Sequence, residues 1–386
     1  MRADDSPDFR PPGRAARSDQ ARLAILADFT PQGDRTFDHF FARLAGAIAS
    51  RGWGVEVTFA APGPEPYRNE LQREGVELAW LRFPFGTRSA TELAGRLLRR
   101  RGVVLQAHFL GSFEPRLLAF RATGLVRKLQ VVDHLSGDLR PLGGAREVVR
   151  RMRGRVAGAV VDEYVAVSRF VADRIARAGV PARRVRIIEN GIPVERYAPT
   201  GPPALRERPC VVFAGQLIPE KGVHVLLEAA RTMPAAADWV IAGAGRHGSE
   251  LEALARRLGV PARFVGHVNS AALFRGADVV VVPSLWEEAF GLVAVEGMAA
   301  GAAVVVSDAG GLPEVVGETG VVVPRGDAVA LRAVLERLLH SSSERARLGG
   351  AALRRAASRF TLERMVSEHV DAAEKLLREA SVRRAG

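Results

Sequence analysis

Short runs of branched apolar residues alternate with longer amphipathic stretches along nearly the whole chain. In the first half, Arg22 to Ala27, Val55 to Ala60, Val76 to Arg82, Val103 to Phe109, Leu129 to Asp133 and Val185 to Glu189 read as strands. In the second half, Val211 to Ala214, Trp239 to Ala242, Ala277 to Pro283 and Gly320 to Pro324 do the same. Several are apolar throughout, without the alternation of a half-exposed strand, which is the mark of parallel strands covered on both faces. Helical patterns fall between them, from about Phe37 to Arg51, Ser89 to Arg101 and after Ser168, whose hydroxyl is placed to cap a helix. Three more follow at about 328–340, 343–358 and 361–380. Strand and helix in alternation predict an α/β chain of two Rossmann-like, doubly wound parallel-sheet domains. Residues 1–20, rich in Pro, Arg and Asp without periodicity, read as a disordered arm. The first domain then spans 21–195, a linker carrying Pro199, Pro202 and Pro203 spans 196–209, the second domain spans 210–360, and a last helix occupies 361–386.

The most informative stretch runs from Ala277 to Gly311: a valine-rich strand, a loop with Glu287 and Glu288, a short helix from about Gly291 to Ala300, and another strand. Ligands of open parallel sheets bind beyond the carboxyl ends of the strands, and a helix N-terminus there is an anion site. The amides near Phe290, Gly291 and Leu292 are therefore expected to face a phosphate, with Glu288 beside them and Glu296 one to two turns further on. The plain alternative is a strand–loop–helix with solvated glutamates.

The string Pro-Ser…Glu-x-Phe-Gly…Glu…Ala-x-Gly, with seven residues between Glu288 and Glu296, resembles the donor-sugar loop of family 4 glycosyltransferases; Gly297 and Ala302 stand where that family usually has Ala and Pro. The likeness covers roughly 22–375 and is densest in 210–324. It implies the GT-B fold, with its two domains facing an interdomain cleft, an acceptor domain followed by a nucleotide-sugar donor domain, a final helix crossing back to the first domain, and transfer with retention of anomeric configuration. It also implies roles: Lys221 and the amides at 290–292 for the donor diphosphate, Glu296 for the ribose, Glu288 for the donor sugar's hydroxyls, and the backbone around His267 and Val268 for the nucleobase. His134, in Val-Val-Asp-His, matches the active-site histidine of the first domain, while His108 matches a histidine of less specific function. Gly33 stands where the family has a pair of small residues that admit donor or acceptor. The family's diphosphate-binding arginine is replaced by Gln216, which can donate hydrogen bonds but brings neither charge nor the bidentate fork.

Other chemistries fit less well. Gly243-Ala-Gly245-Arg-His-Gly248 is formally a dinucleotide fingerprint, but the next strand, ending near Val268, offers no acid for a ribose. No Asp-x-Asp is present, so no metal is expected to hold the donor, and no cofactor besides the UDP- or GDP-linked substrate. An epimerase or phosphorylase of the same fold is one alternative, and a pyridoxal-dependent one is hard to supply from three lysines; a degenerate, non-catalytic nucleotide-sugar binder, favoured only by Gln216, is another.

Composition narrows the setting. A 386-residue chain with 47% hydrophobic and 25% charged residues supports two ordinary cores. Its formal charge of +12 favours acidic partners. Basic residues cluster at 96–101, 146–155 and 344–355 with no nucleic-acid motif among them, so solvated or membrane-facing surface is expected and nucleic acid is not. The single cysteine, Cys210, opens an apolar run and is expected to be a buried small residue in a reducing cytoplasm. No run approaches the length of a bilayer span and no signal-type segment opens the chain, so any membrane contact is expected to be peripheral, at the inner face. The acceptor is left open: a glycan, a lipid-linked glycan or a small molecule.

Overall fold

A computed structural model describes residues 21–100, 102–137, 144–201, 207–233 and 235–382. The expected arm, 1–20, and the middle of the expected linker lie outside the described residues. The first sheet contains β1 (Arg22–Ala27), β2 (Gly54–Phe59), β3 (Glu77–Trp80), β4 (Val103–His108), β5 (Lys128–Asp133), β6 (Glu163–Ala166) and β7 (Val185–Ile187), in the order β3-β2-β1-β4-β5-β6-β7. The second contains β8 (Cys210–Ala214), β9 (Asp238–Ala242), β10 (Arg263–Gly266), β11 (Val279–Val282), β12 (Ala303–Ser307) and β13 (Val321–Val323), in the order β10-β9-β8-β11-β12-β13. Every pairing within these sheets is parallel. This is the two-sheet, doubly wound α/β arrangement that the apolar pattern predicts.

Burial explains the sequence of the central strands. All four valines of β11 and all five residues of β12 are buried, because helices cover both faces. In each sheet the strand order reverses beside the first strand, between β1 and β4 and between β8 and β11. Chain leaving these strand ends splays to opposite faces there and opens a crevice. Helices Glu65–Arg73, Pro115–Ala122, Gly144–Val160 and Ser270–Arg275 are additions to the sequence reading. Their apolar stripes are short or, in the third, point outward, so periodicity gives little sign of them.

The C-terminal helix Leu362–Val382 packs on the first sheet, its Met365, Val366, Val370, Ala373 and Leu377 joining Phe40, Phe41, Leu44 and Ile48 of helix Thr36–Ser50 in one core. A backbone clasp fixes its start. Ile192 N–H donates to the Phe360 carbonyl at 2.9 Å, and Leu362 N–H donates to the Ile192 carbonyl at 2.9 Å. The backbones are so close that a Cβ at Gly191 would lie 2.1 Å from the Thr361 carbonyl oxygen. Backbone on both sides leaves nothing flexible to yield. Gly191→Ala is expected to lower stability by about 1–3 kcal/mol in a denaturation experiment. Gly111→Ala, where nothing lies within 4 Å of the added carbon, is expected to stay within about 0.5 kcal/mol of the parent.

Candidate functional site

The ends of β4, β5, β8 and β11 face one another across a cavity of about 290 Å³ lined from both halves of the chain. Its first wall carries Phe37, Phe109, His134, Ser136 and Asn190; its second carries Gln216, Lys221, Ser284, Trp286, Glu288 and Phe290 to Val293.

Glu288 is the charged centre of the second wall. It is only 7% exposed, and one of its oxygens, Oε1, accepts from Lys221 Nζ at 2.6 Å, Ser284 Oγ at 2.7 Å and Trp286 Nε1 at 3.2 Å. Burial alone would raise its pKa, but the Lys221 charge and the three donated bonds outweigh burial and hold the carboxyl below its ordinary value. The Lys221 ammonium also lies 5.4 Å from the centre of the Trp286 ring. Lys221 and Glu288, assigned separately to diphosphate and sugar by resemblance, are thus paired to each other across two loops. Immediately after them, helix Leu292–Ala299 begins on Gly291. Gly291 has φ 101°, and a Cβ there would lie 2.3 Å from Leu312 Cδ2, so glycine suits this turn on both counts. The amides of Leu292 and Val293 precede the first intrahelical bonds, which Ala294 and Val295 N–H make to the Gly291 carbonyl at 3.0 and 3.3 Å, and this helix start gives the wall a positive edge. Gln216 is exposed on the same wall, and among the described lining residues Lys221 is the one cation.

His134 is held on the first wall by stacking and one hydrogen bond. Its ring stacks on Phe109 with centroids 4.3 Å apart and meets Phe37 edge-on at 5.1 Å. Phe109 carries a φ of 60°, rare for a bulky residue and a place where backbone strain accompanies a site. His134 Nε2 bonds His108 Nδ1 at 3.0 Å. Burial, then the neighbouring His369, depress the His134 pKa to about 3, so the ring is neutral at physiological pH. Its Nδ1 has no protein partner. His108 is buried beneath it and belongs to the core.

Main-chain and hydroxyl contacts stitch the two walls together. Ser136 Oγ accepts from Ala289 N–H at 3.0 Å, Gly137 N–H donates to the Glu287 carbonyl at 2.9 Å, and Ser168 Oγ donates to the Ala289 carbonyl at 2.6 Å. Ser168 also caps its own helix, accepting from Val171 N–H at 3.1 Å. Sequence reading finds the cap but misses the contact between domains. It also misses Phe37, Phe109, Ser136, Asn190, Ser284 and Trp286 as lining residues. Ser136 and Ser284 lie two and four residues from His134 and Glu288, so proximity to those motifs was the available signal.

Three other candidates stand outside the lining. Gly33 sits with φ 88° on the loop after β1, one turn before Phe37, and Val268 is 45% exposed beyond β10. Glu296 is one turn along from Leu292 and Val293 and accepts from Tyr197 Oη at 3.0 Å. Among the described residues no group of three or more His, Cys, Asp or Glu is arranged to hold a metal ion. No described helix is long and apolar enough to cross a membrane.

Known proteins match this architecture. Residues 39–196 match the family model described as Glycosyltransferase Family 4, and residues 202–355 match that described as Glycosyl transferases group 1. A D-inositol 3-phosphate glycosyltransferase of Xylanimonas cellulosilytica is 34% identical over 366 residues, covering 83% of this chain and 86% of the relative. An MMP alpha-(1->4)-mannosyltransferase of Mycolicibacterium hassiacum is 29% identical over 347 residues, covering 83% and 82%. The crystal structure of Anabaena HepE in complex with UDP-glucose superposes with a TM-score of 0.73 at 20% identity, covering 91% of this chain and 99% of that one, a likeness of fold.

The burial of Glu296 generates a pH dependence. Burial raises its pKa to about 7, against the partial opposition of the Tyr197 hydrogen bond and Arg196. The folded chain therefore keeps a proton that the unfolded chain loses near pH 4.5, and stability falls as pH rises from about 4.5 to about 7. Across that window the parent is expected to lose about 3 kcal/mol relative to Glu296→Gln. Thermal unfolding of both proteins from pH 4 to 8 checks this; parallel profiles would show that Glu296 ionises normally.

Proposed function

The chain belongs to the group 1, family 4 glycosyltransferases, and on that footing we propose that it moves a hexose from a UDP- or GDP-linked donor to an acceptor hydroxyl with retention of configuration. The observation carrying this reading is the cavity between the domains, where Lys221, Glu288 and the start of helix Leu292–Ala299 oppose His134. Diphosphate is the ligand chemistry that suits the one ammonium among the described lining residues beside a helix N-terminus. In this reading Lys221 turns from Glu288 to the diphosphate, Gln216 adds a hydrogen bond, and the charge is taken by these groups rather than by a metal. Glu288, released from its counterion, accepts from the donor sugar's hydroxyls.

The donor's bond from C1 to the phosphate oxygen breaks, the acceptor oxygen bonds C1 from the same face, and the departing diphosphate takes up the acceptor hydroxyl's proton. Neutral His134, on the opposite wall, contacts the sugar near the reacting carbon. Glu296 serves the ribose, the backbone at Val268 serves the base, and the backbone at Gly33 admits donor or acceptor. The named relatives, one for an inositol phosphate glycosyltransferase and one for a mannosyltransferase, support sugar transfer to a hydroxylated acceptor.

Release of nucleoside diphosphate from UDP- and GDP-linked hexoses tests the proposal. Glu288→Gln is expected to reduce turnover by about a hundredfold or more, while changing diphosphate affinity by less than about tenfold. Gln216→Arg is expected to tighten diphosphate binding by about tenfold, as a charged bond replaces a neutral one. Undiminished turnover by Glu288→Gln would remove the carboxylate from the reaction.

A further inference from the structure

Helix Gly144–Val160 lies on the surface of the first domain with an unusual distribution of side chains. Val148, Val149, Met152 and Val156 are 57%, 54%, 60% and 61% exposed. At 3.6 residues per turn these four fall within about 100° of the helix circumference, and the exposed Ala145 and Ala159 fall in the same arc. Gly154, Ala157 and Gly158 are buried on the opposite side. They press the helix onto the segment after helix Arg169–Arg177: a Cβ at Gly154 would lie 1.8 Å from the Ala178 carbonyl oxygen, and one at Gly158 would lie 2.6 Å from Pro181 Cδ. The glycines thus fix the orientation, and the apolar arc is turned away from the protein.

Arginines border that arc. Arg151 and Arg155 run along one edge, and Arg146 and Arg153 along the other, all exposed. The helix's acid, Glu147, lies toward the buried side, 2.7 Å from Arg150 Nη2 and 3.7 Å from Nε of Arg151, whose side chain is 63% exposed. An outward apolar strip between two cationic rows matches the boundary between lipid headgroups and acyl chains, where the apolar side chains enter and the guanidinium groups meet phosphates. A second copy of the chain fits worse, because two such faces would bring four cationic rows together. Nucleic acid would use the arginines and leave the valines and methionine exposed.

We infer that helix Gly144–Val160 docks the protein on an anionic phospholipid surface, so that it draws its acceptor from a membrane. The placement of the helix suits this. It begins seven residues after Gly137, which bonds the second wall of the cavity, so its N-terminal end belongs to the cleft side of the first sheet. The choice of acceptor rests on the transfer reading above; the docking itself does not.

Co-sedimentation of the full chain with vesicles tests the inference, using phosphatidylcholine alone and phosphatidylcholine with about one third phosphatidylglycerol. The parent is expected to bind the anionic vesicles and to release them at high salt. Met152→Glu/Val156→Glu is expected to bind them about tenfold or more weakly, with an unchanged melting temperature because both positions face solvent. Failure of the parent to bind anionic vesicles, or equal binding by the double variant, would overturn the inference. So would a parent dimer in sedimentation velocity that binds no vesicles and that the double variant dissociates. No nucleotide sugar is present in these assays. A negative result therefore leaves glycosyl transfer standing, and a failure of transfer leaves the docking result intact.

Discussion

A part-buried ion pair ties the two loops that make the second wall of the cavity. Lys221 follows β8, Glu288 follows β11, and these strands are neighbours at the point where the second sheet reverses its order. An ammonium and a carboxylate 2.6 Å apart, with Ser284 and Trp286 also donating to the acid, hold both loops in register together with a backbone bond from Leu285 N–H to the Glu220 carbonyl at 2.8 Å. Removing one partner would leave the other charge partly buried without compensation, which costs far more than an exposed pair is worth. On the proposed function the pair would also keep a cation ready for an incoming phosphate, so that assembly of the site and its chemistry would rest on the same two residues.

The first domain reaches this wall through groups that carry no charge. Ser136, Gly137 and Ser168 engage the backbone at 287 and 289, and Glu314 returns the contact by accepting from Arg169 N–H at 2.9 Å, at the positive end of a first-domain helix. The C-terminal helix adds a second connection on the far side of the first sheet, where its apolar residues complete a core with helix Thr36–Ser50. The two halves therefore meet through hydrogen bonds and through one apolar core, in which Val167, Ile188 and Ile192 cluster with Ala289, Phe290 and Leu312, while the C-terminal helix adds an apolar contact remote from the cleft.

Much of the fold was legible in the chain because parallel strands buried on both faces leave an unmistakable valine-rich signal, as in β11 and β12. The carboxylate loop was legible because Glu288 and the glycine-led helix follow such a strand directly. What sequence could not supply was pairing. Nothing in one dimension brings Lys221 against Glu288 or stacks Phe109 on His134, since each contact joins separate strand ends. Helix Gly144–Val160 escaped for another reason: its apolar stripe faces outward and its buried face is glycine and alanine, the reverse of the pattern that identifies a globular helix.

Calorimetric titration of UDP and GDP into the parent and into Lys221→Met tests the central claim most directly. The account predicts that the parent binds at least one of them and that the variant, folded by circular dichroism, binds it about tenfold or more weakly, since a charged hydrogen bond to phosphate is lost. Equal affinity in the two proteins would show that Lys221 serves only to hold Glu288, and that the donor diphosphate is received elsewhere.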